Sequence, residues 1–272
     1  MEALIGMGGD QELLEAIVLA SGEGSRLRSV TGGTPKCFYK INGIPLIMYG
    51  IRALEKLGLK RLVVVVRRGY EDLAEKALEG METDYTLIVN YRGDLGSAYS
   101  VMLGLEAISG KKGIVACCDT LAPISLYENL LQCHRKTGCE ACIAASRIGE
   151  YVDYKEASKI RLESDGRIME IGKSVADAML IDTGVMVLPK KALEFKEKVL
   201  ESGGETHLYQ LIGWMIMGGY DVRACDTGST SWTEIDTPED LYSLTGGHAR
   251  RVLEKYWEEM GGWGSQSRRT GL

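Results

Sequence analysis

Residues 16–27 read Ala-Ile-Val-Leu-Ala-Ser-Gly-Glu-Gly-Ser-Arg-Leu, and Pro35-Lys36 follows shortly after. The first five are a short continuous apolar run, the pattern of a strand buried on both faces of a parallel sheet. The run ends in a glycine-rich loop. Gly22 and Gly24 allow a close backbone approach to a ligand and positive φ, and such a turn presents several N–H groups to an anion. Arg26 adds a fork of donors for phosphate oxygens. Lys36 adds a point charge, its approach set by Pro35. The segment is therefore a phosphate-binding loop at the end of a first strand.

Working outward, Arg61–Val66, Tyr85–Val89 and Gly113–Cys118 read as further strands. Ile44–Leu57, Tyr70–Leu78 and Ser97–Ile108 carry helical spacing between them. Strand–helix alternation implies βαβ units, and right-handed crossovers place the loops after the strands along one edge. The fold class expected is α/β: a Rossmann-like, mostly parallel sheet flanked by helices. Beyond residue 140 the pattern turns β-rich. Glu140–Arg147, Ser158–Glu163, Arg167–Ile171 and Ile181–Leu188 read as strands, with Asp165-Gly166 as a hairpin turn. This stretch, about 140–190, is expected to be an insert forming a lid or wall beside the first half. Helices at Ala192–Glu201, Leu208–Met217, Glu239–Leu244 and Ala249–Met260 surround a last strand near Tyr220–Ala224. Residues 1–260 are expected to be a single domain, with 261–272 a mobile tail.

Composition narrows the function classes. The chain has 272 residues, 45% hydrophobic and 26% charged, and a formal net charge of −6 without a basic run. Nucleic-acid platforms carry a basic stripe, so that class is disfavoured. No apolar run reaches membrane-spanning length, and the N-terminus lacks a basic region followed by an apolar one. A soluble, cytoplasmic protein is expected, and a homo-oligomer is compatible with the sequence. The seven cysteines include one CxxC, Cys139–Cys142, without a second pair to complete a zinc site, so they read as buried thiols. His134, His207 and His248 fall in segments read as helical, with no catalytic partner pattern.

Rival loops fail on spacing. No GxxxxGK[ST] string occurs, and a dinucleotide GxGxxG would need glycine where Leu27 stands. Two aspartates are candidates to hold magnesium, which takes hard oxygen ligands and usually one or two carboxylates. Asp119 directly follows the strand Gly113–Cys118. Asp236 lies in Trp232-Thr-Glu-Ile-Asp-Thr-Pro-Glu-Asp240, ahead of a helix opening at Pro238. Gly93-Asp-Leu-Gly-Ser-Ala-Tyr-Ser100 opens another helix, whose N–H groups favour an electron-rich ligand.

Ala20–Leu27 with Pro35-Lys36 resembles the signature loop of the sugar-nucleotidyltransferase superfamily, enzymes with a MobA-like, glycosyltransferase-A-like fold. The resemblance extends over roughly residues 16–245. It implies that Leu19, Ala20, Ser21, Gly22, Glu23, Gly24, Ser25, Arg26 and Lys36 wrap an NTP. It implies that Gly96 and Ser97 read its base, and that Asp119 and Asp236 hold Mg2+. Ser21 departs from the usual small Ala or Gly, and Cys37-Phe38-Tyr39 is bulkier than usual. The series Tyr154–Glu163, Gly166–Lys173 and Ile181–Val185 is similar to inositol-1-phosphate cytidylyltransferases. That likeness implies a β-rich acceptor-binding region. Lys173 would meet the acceptor phosphate, Lys159 is a second candidate, and Asp182 or Thr183 would lie near the acceptor hydroxyls. The expected reaction joins CTP and inositol-1-phosphate to give CDP-inositol and pyrophosphate, with Arg26, Lys36 and Lys173 as the catalytic cations. A hexose-1-phosphate or phosphocholine acceptor and a non-catalytic, sugar-nucleotide-binding regulatory subunit are the alternatives.

Overall fold

The computed structural model describes residues 15–147, 152–228 and 230–261. The N-terminal segment and the expected tail from 262 onward lie outside the described residues. The strands are β1 (Glu15–Ala20), β2 (Lys40–Ile41), β3 (Ile44–Pro45), β4 (Arg61–Arg67), β5 (Asp84–Asn90), β6 (Lys112–Cys117) and β7 (Thr120–Leu121). They continue with β8 (Ala141–Ser146), β9 (Lys159–Leu162), β10 (Ile168–Gly172), β11 (Leu180–Pro189), β12 (Val222–Asp226) and β13 (Thr233–Glu234). The helices are α1 (Arg28–Thr31), α2 (Ile47–Lys56), α3 (Glu71–Leu78), α4 (Gly96–Ala107), α5 (Ile124–Thr137), α6 (Lys196–Leu200), α7 (Leu208–Met217), α8 (Pro238–Gly246) and α9 (Arg250–Glu259).

A nine-stranded sheet organises the chain. Strands β5, β4, β1 and β6 run parallel in that order, so their carboxyl ends share one edge. The apolar runs are buried on both faces, as their composition requires. In β1, Ala16, Val18 and Ala20 enter one core while Ile17 and Leu19 enter the other. In β4, Leu62, Val64 and Val66 alternate in the same way with Val63 and Val65. Helices α2, α5 and α9 supply the first core, and α4 and α7 the second. Tyr256 Oη of α9 donates to the Tyr49 carbonyl of α2 at 3.0 Å, and Glu259 accepts from the Ser125 N–H at 2.9 Å, fastening α9 to α2 and the start of α5.

Three expectations change. The β-rich stretch extends the sheet of the first half directly: β11 pairs antiparallel with β6, β8 joins β11 and β12, and the β9–β10 hairpin borders β11. The stretch is thus a continuation of the sheet. The helix expected over Ile44–Leu57 begins only at Ile47, because Asn42 (φ 50°) and Gly43 (φ 81°) turn β2 back on β3. Of the three histidines, only His134 sits within a helix; His207 is the extended N-cap of α7, and His248 lies in the turn between α8 and α9.

Candidate active site

The four parallel strands deliver the site, since ligands in open α/β sheets bind beyond the carboxyl ends of the strands. The loop after β1 brings Ser21 to Arg26, and β4 ends in Arg67. The turn after β5 brings Gly93, Asp94, Gly96 and Ser97, and β6 leads to Cys117, Cys118 and Asp119. Together with Lys36, Lys173, Glu205, His207 and Asp236 they enclose a cleft of about 580 Å³, a size suited to a nucleotide.

Backbone geometry explains why the loop is glycine-rich. Gly24 has φ 60°, and a Cβ there would lie 2.9 Å from the Lys36 Cβ. Gly96 has φ 79°, and a Cβ there would lie 2.6 Å from the Thr206 carbonyl oxygen. That closeness lets Ala98 N–H donate to Thr206 and Thr206 N–H donate to Leu95, both at 3.0 Å. The segment before α7 is thereby clipped to the start of α4, which carries Glu205 and His207 into the cleft wall. Ser97 donates no cap to its own helix; its hydroxyl accepts the Leu208 N–H at 2.9 Å.

At the floor lies a charge cluster. Lys36 Nζ donates to Asp119 Oδ2 at 2.6 Å and to Asp236 Oδ1 at 2.5 Å, and Arg26 pairs with Asp236 Oδ2 at 3.0 Å. The short β7–β13 ladder and the Ile235 N–H on the Asp119 carbonyl (3.1 Å) bring the two acidic loops together. Asp236 is released from helix capping: Thr237 caps α8, and Asp240 accepts the N–H groups of Asp236 and Thr237. Burial alone would lower the Lys36 pKa, yet Asp119 and Asp236 outweigh it and hold the ammonium well above its ordinary range. For Asp236 burial pushes upward, and Lys36 and then Arg26 more than reverse it, leaving the carboxyl below its usual value. Neighbouring Glu234 is pushed well up, first by burial and then by Asp119 and Asp236.

Among the described residues no group of three or more His, Cys, Asp or Glu side chains is arranged to hold a metal unaided. Asp119 and Asp236 nevertheless fit magnesium. They are hard oxygen donors converging on one cation, the Lys36 ammonium, and magnesium needs few carboxylates when phosphates and water complete its shell.

Most of the expected nucleotide residues line this cleft, and so does Lys173. Ala20 does not, since its side chain is fully buried in the core. Lys159 is buried and donates to the Lys173 carbonyl at 2.6 Å, so it props the backbone of Lys173. Thr183 is fully buried and donates to the Ala144 carbonyl at 2.8 Å, while its own carbonyl accepts from Thr120. Asp182 accepts the Gly184 N–H at 2.8 Å, and burial raises its carboxyl to about 6. Neither Asp182 nor Thr183 opens into the cleft.

Several cleft residues had no signal in the sequence. Arg67 pairs with Glu23 of the loop at 2.7 Å. Ser100 joins Ser21 (2.6 Å) to Asn90 (3.0 Å), so the unusual Ser21 hydroxyl is engaged within the wall. Glu156 reaches Lys173 at 3.0 Å and Arg26 at 4.0 Å, standing between two cations that line the cleft. His207 and Glu205 come from a distant segment.

Comparison with known proteins agrees with this geometry. Residues 16–209 match the model of the MobA-like NTP transferase domain. The chain belongs to that family. It is 34% identical to a solved structure of the inositol-1-phosphate CTP transferase from T. maritima, with a TM-score of 0.83 over 91% of this chain and 97% of that one. It is 31% identical over 85% of its length to a bifunctional IPC transferase and DIPP synthase of Rubrobacter xylanophilus, covering 51% of that protein. The corresponding protein of Aquifex aeolicus is 27% identical over 83% of this chain and is covered to 50%. The chain thus spans about half the length of these curated relatives.

Proposed function

We propose that this protein is a cytidylyltransferase that joins CTP to inositol-1-phosphate, giving CDP-inositol and pyrophosphate, with magnesium as cofactor and the cytoplasm as its place of work. The observation that carries the reading is the convergence of Lys36, Arg26, Asp119 and Asp236 at the carboxyl edge of the sheet, with Lys173 across the cleft. The likeness to the T. maritima enzyme supports the choice of substrates. Among the described residues no helix is long and apolar enough to cross a membrane.

The chemistry follows from charge and position. The loop 21–26 presents backbone N–H groups and Arg26 to the triphosphate, and Lys36 holds the charge that grows on the departing pyrophosphate. Lys173 receives the acceptor phosphate, offsetting repulsion between two anions so that an acceptor oxygen lies in line with the α-phosphorus. Asp119 and Asp236 would hold magnesium, which when bound would supply charge neutralisation to the phosphates. No protein nucleophile is required by this reaction. Fixed cations aimed at developing charge are typically worth about 3–4 kcal/mol each.

The test is pyrophosphate release with magnesium, crossing CTP, UTP, GTP and ATP against inositol-1-phosphate, glucose-1-phosphate, mannose-1-phosphate and phosphocholine. Release confined to CTP with inositol-1-phosphate supports the full reading. Release with another pair keeps the reaction type and replaces the substrates. Silence in folded protein that still binds NTP overturns the proposed substrate pair and points to an acceptor outside the panel or to the regulatory reading.

A further inference from the structure

Two thiols flank the charge cluster. Cys37 directly follows Lys36 and Cys118 directly precedes Asp119, and their sulfurs meet at 2.6 Å although 81 positions separate them in the chain. Both are buried, at 0% and 6% exposure, and nothing in the proposed reaction uses either. Each backbone is held in place independently. Cys37 sits in the helical turn Lys36–Phe38, closed by the Phe38 N–H on the Pro35 carbonyl at 2.9 Å. The Cys118 N–H donates to the Leu19 carbonyl of β1 at 3.1 Å. Two anchored segments thus present their sulfurs to each other with no atom between them. Of the other cysteines, Cys117 lines the same cleft as Cys118, whereas Cys133, Cys139, Cys142 and Cys225 belong to α5, the turn joining α5 to β8, β8 and β12 respectively.

We propose that Cys37 and Cys118 form a reversible disulfide site, closed by exchange with a small-molecule disulfide that enters through the cleft. Cys118 is the entry point because it lines the cleft, whereas Cys37 is sealed behind it. Its thiolate attacks one sulfur of the small disulfide, which expels the first small thiolate and leaves a mixed disulfide on Cys118. The Cys37 thiolate then attacks Cys118 Sγ and expels the second. The two protein thiols lose two electrons and two protons in all, and the small disulfide is reduced to two thiols.

Because the sulfurs already touch, closure requires only a further short approach of the two side chains. The bond is therefore a staple and not an off-switch. It closes a long loop of chain, the circumstance in which a cross-link most restricts the unfolded state.

The test uses the full chain. Protein is incubated at pH 8 with 2-hydroxyethyl disulfide, and remaining thiols are alkylated in denaturant. The digest is then read by mass spectrometry, and the thermal midpoint is measured in parallel. The expected result is a linked pair of peptides carrying Cys37 and Cys118, two hydrogens lighter than the free pair, that dithiothreitol separates. The thermal midpoint rises by about 5–10 °C. Cys37→Ser and Cys37→Ala, checked for native circular dichroism, gain neither. Absence of the linked peptides, linkage among Cys133, Cys139 and Cys142 in their place, or linkage without a rise in midpoint overturns the proposal. Both readouts are independent of pyrophosphate release, so failure of the cytidylyltransferase reading and failure of this one are distinguishable.

Discussion

Lys36 Nζ lies 2.5 Å from Asp236 Oδ1, a contact between residues 200 positions apart in the chain. Lys36 comes from the loop that follows the first strand, and Asp236 from the segment ahead of α8. Their meeting places the cation proposed for the leaving group beside a carboxylate proposed for magnesium. A change in one therefore alters the electrostatics of the other.

Lys36→Met leaves Asp119 and Asp236 facing each other without their shared ammonium. Pyrophosphate release is expected to fall about a hundred- to a thousandfold, the usual cost of losing one charge aimed at the transition state. Steady-state kinetics with the preferred pair checks this. A variant within threefold of the parent would remove Lys36 from the mechanism.

Asp119→Asn keeps the shape and removes a formal charge from the proposed magnesium site. The rate is expected to drop about a hundredfold, and more magnesium is needed for half-maximal rate. Magnesium titration at saturating substrates reads both effects, and near-parental turnover would sink the metal assignment.

Glu156 stands between Arg26 and Lys173 where substrate anions are proposed to bind. Its side chain and theirs are all about half exposed, so these pairs are weak and a phosphate displaces the carboxylate readily. Glu156→Gln is expected to lower KM by about threefold with kcat little changed. A raised KM would show instead that Glu156 assists binding.

Gly24→Ala forces a Cβ into a left-handed conformation and against the Lys36 Cβ, 2.9 Å away. The shift of Lys36 is expected to reduce kcat about 10- to 100-fold, while the strained residue itself costs only about 1–2 kcal/mol of stability. Comparing kinetics with urea unfolding separates the two effects.

Asp182 titrates at about 6 in the folded chain against an ordinary 3.8, with burial as the cause. The folded state keeps this proton where the unfolded state has released it. Its contribution to stability is thus fully present below pH 3.8 and declines until the pH passes about 6. The whole decline is worth at most about 3 kcal/mol. Asp182→Asn, whose amide oxygen can still accept the Gly184 N–H, is expected to gain stability relative to the parent at pH 7.5 over pH 4.5. Unfolding curves at both pH values check it, and an equal difference at the two would refute it.

Much of the site was legible because its parts are local. The continuous apolar runs Ala16–Ala20 and Leu62–Val66 point to a doubly covered sheet, and a glycine loop after such a strand points to an anion site. Asp119 and Asp236 are candidates through their positions after a strand and before a helix. Glu205 and His207 are not, because they reach the cleft through backbone hydrogen bonds between Thr206 and the start of α4, a contact that no spacing encodes. Thr183 and Lys159 were read as acceptor contacts from the order of short segments. Order along the chain carries no information about which side of β9 or β11 faces the cleft, and both side chains turned inward. The β-rich stretch looked separate because antiparallel strands lack intervening helices, although β11 pairs directly with β6.

The ladder of β7 with β13 bears on how the molecule is made. During synthesis the glycine loop, Lys36, Asp119 and every strand of the nine-stranded sheet leave the ribosome before Asp236. A nascent chain can therefore hold an almost finished cleft that still lacks one carboxylate. A chain ending before β13 would lack one of the two proposed magnesium ligands, so on this geometry the proposed metal site is completed only when β13 docks on β7.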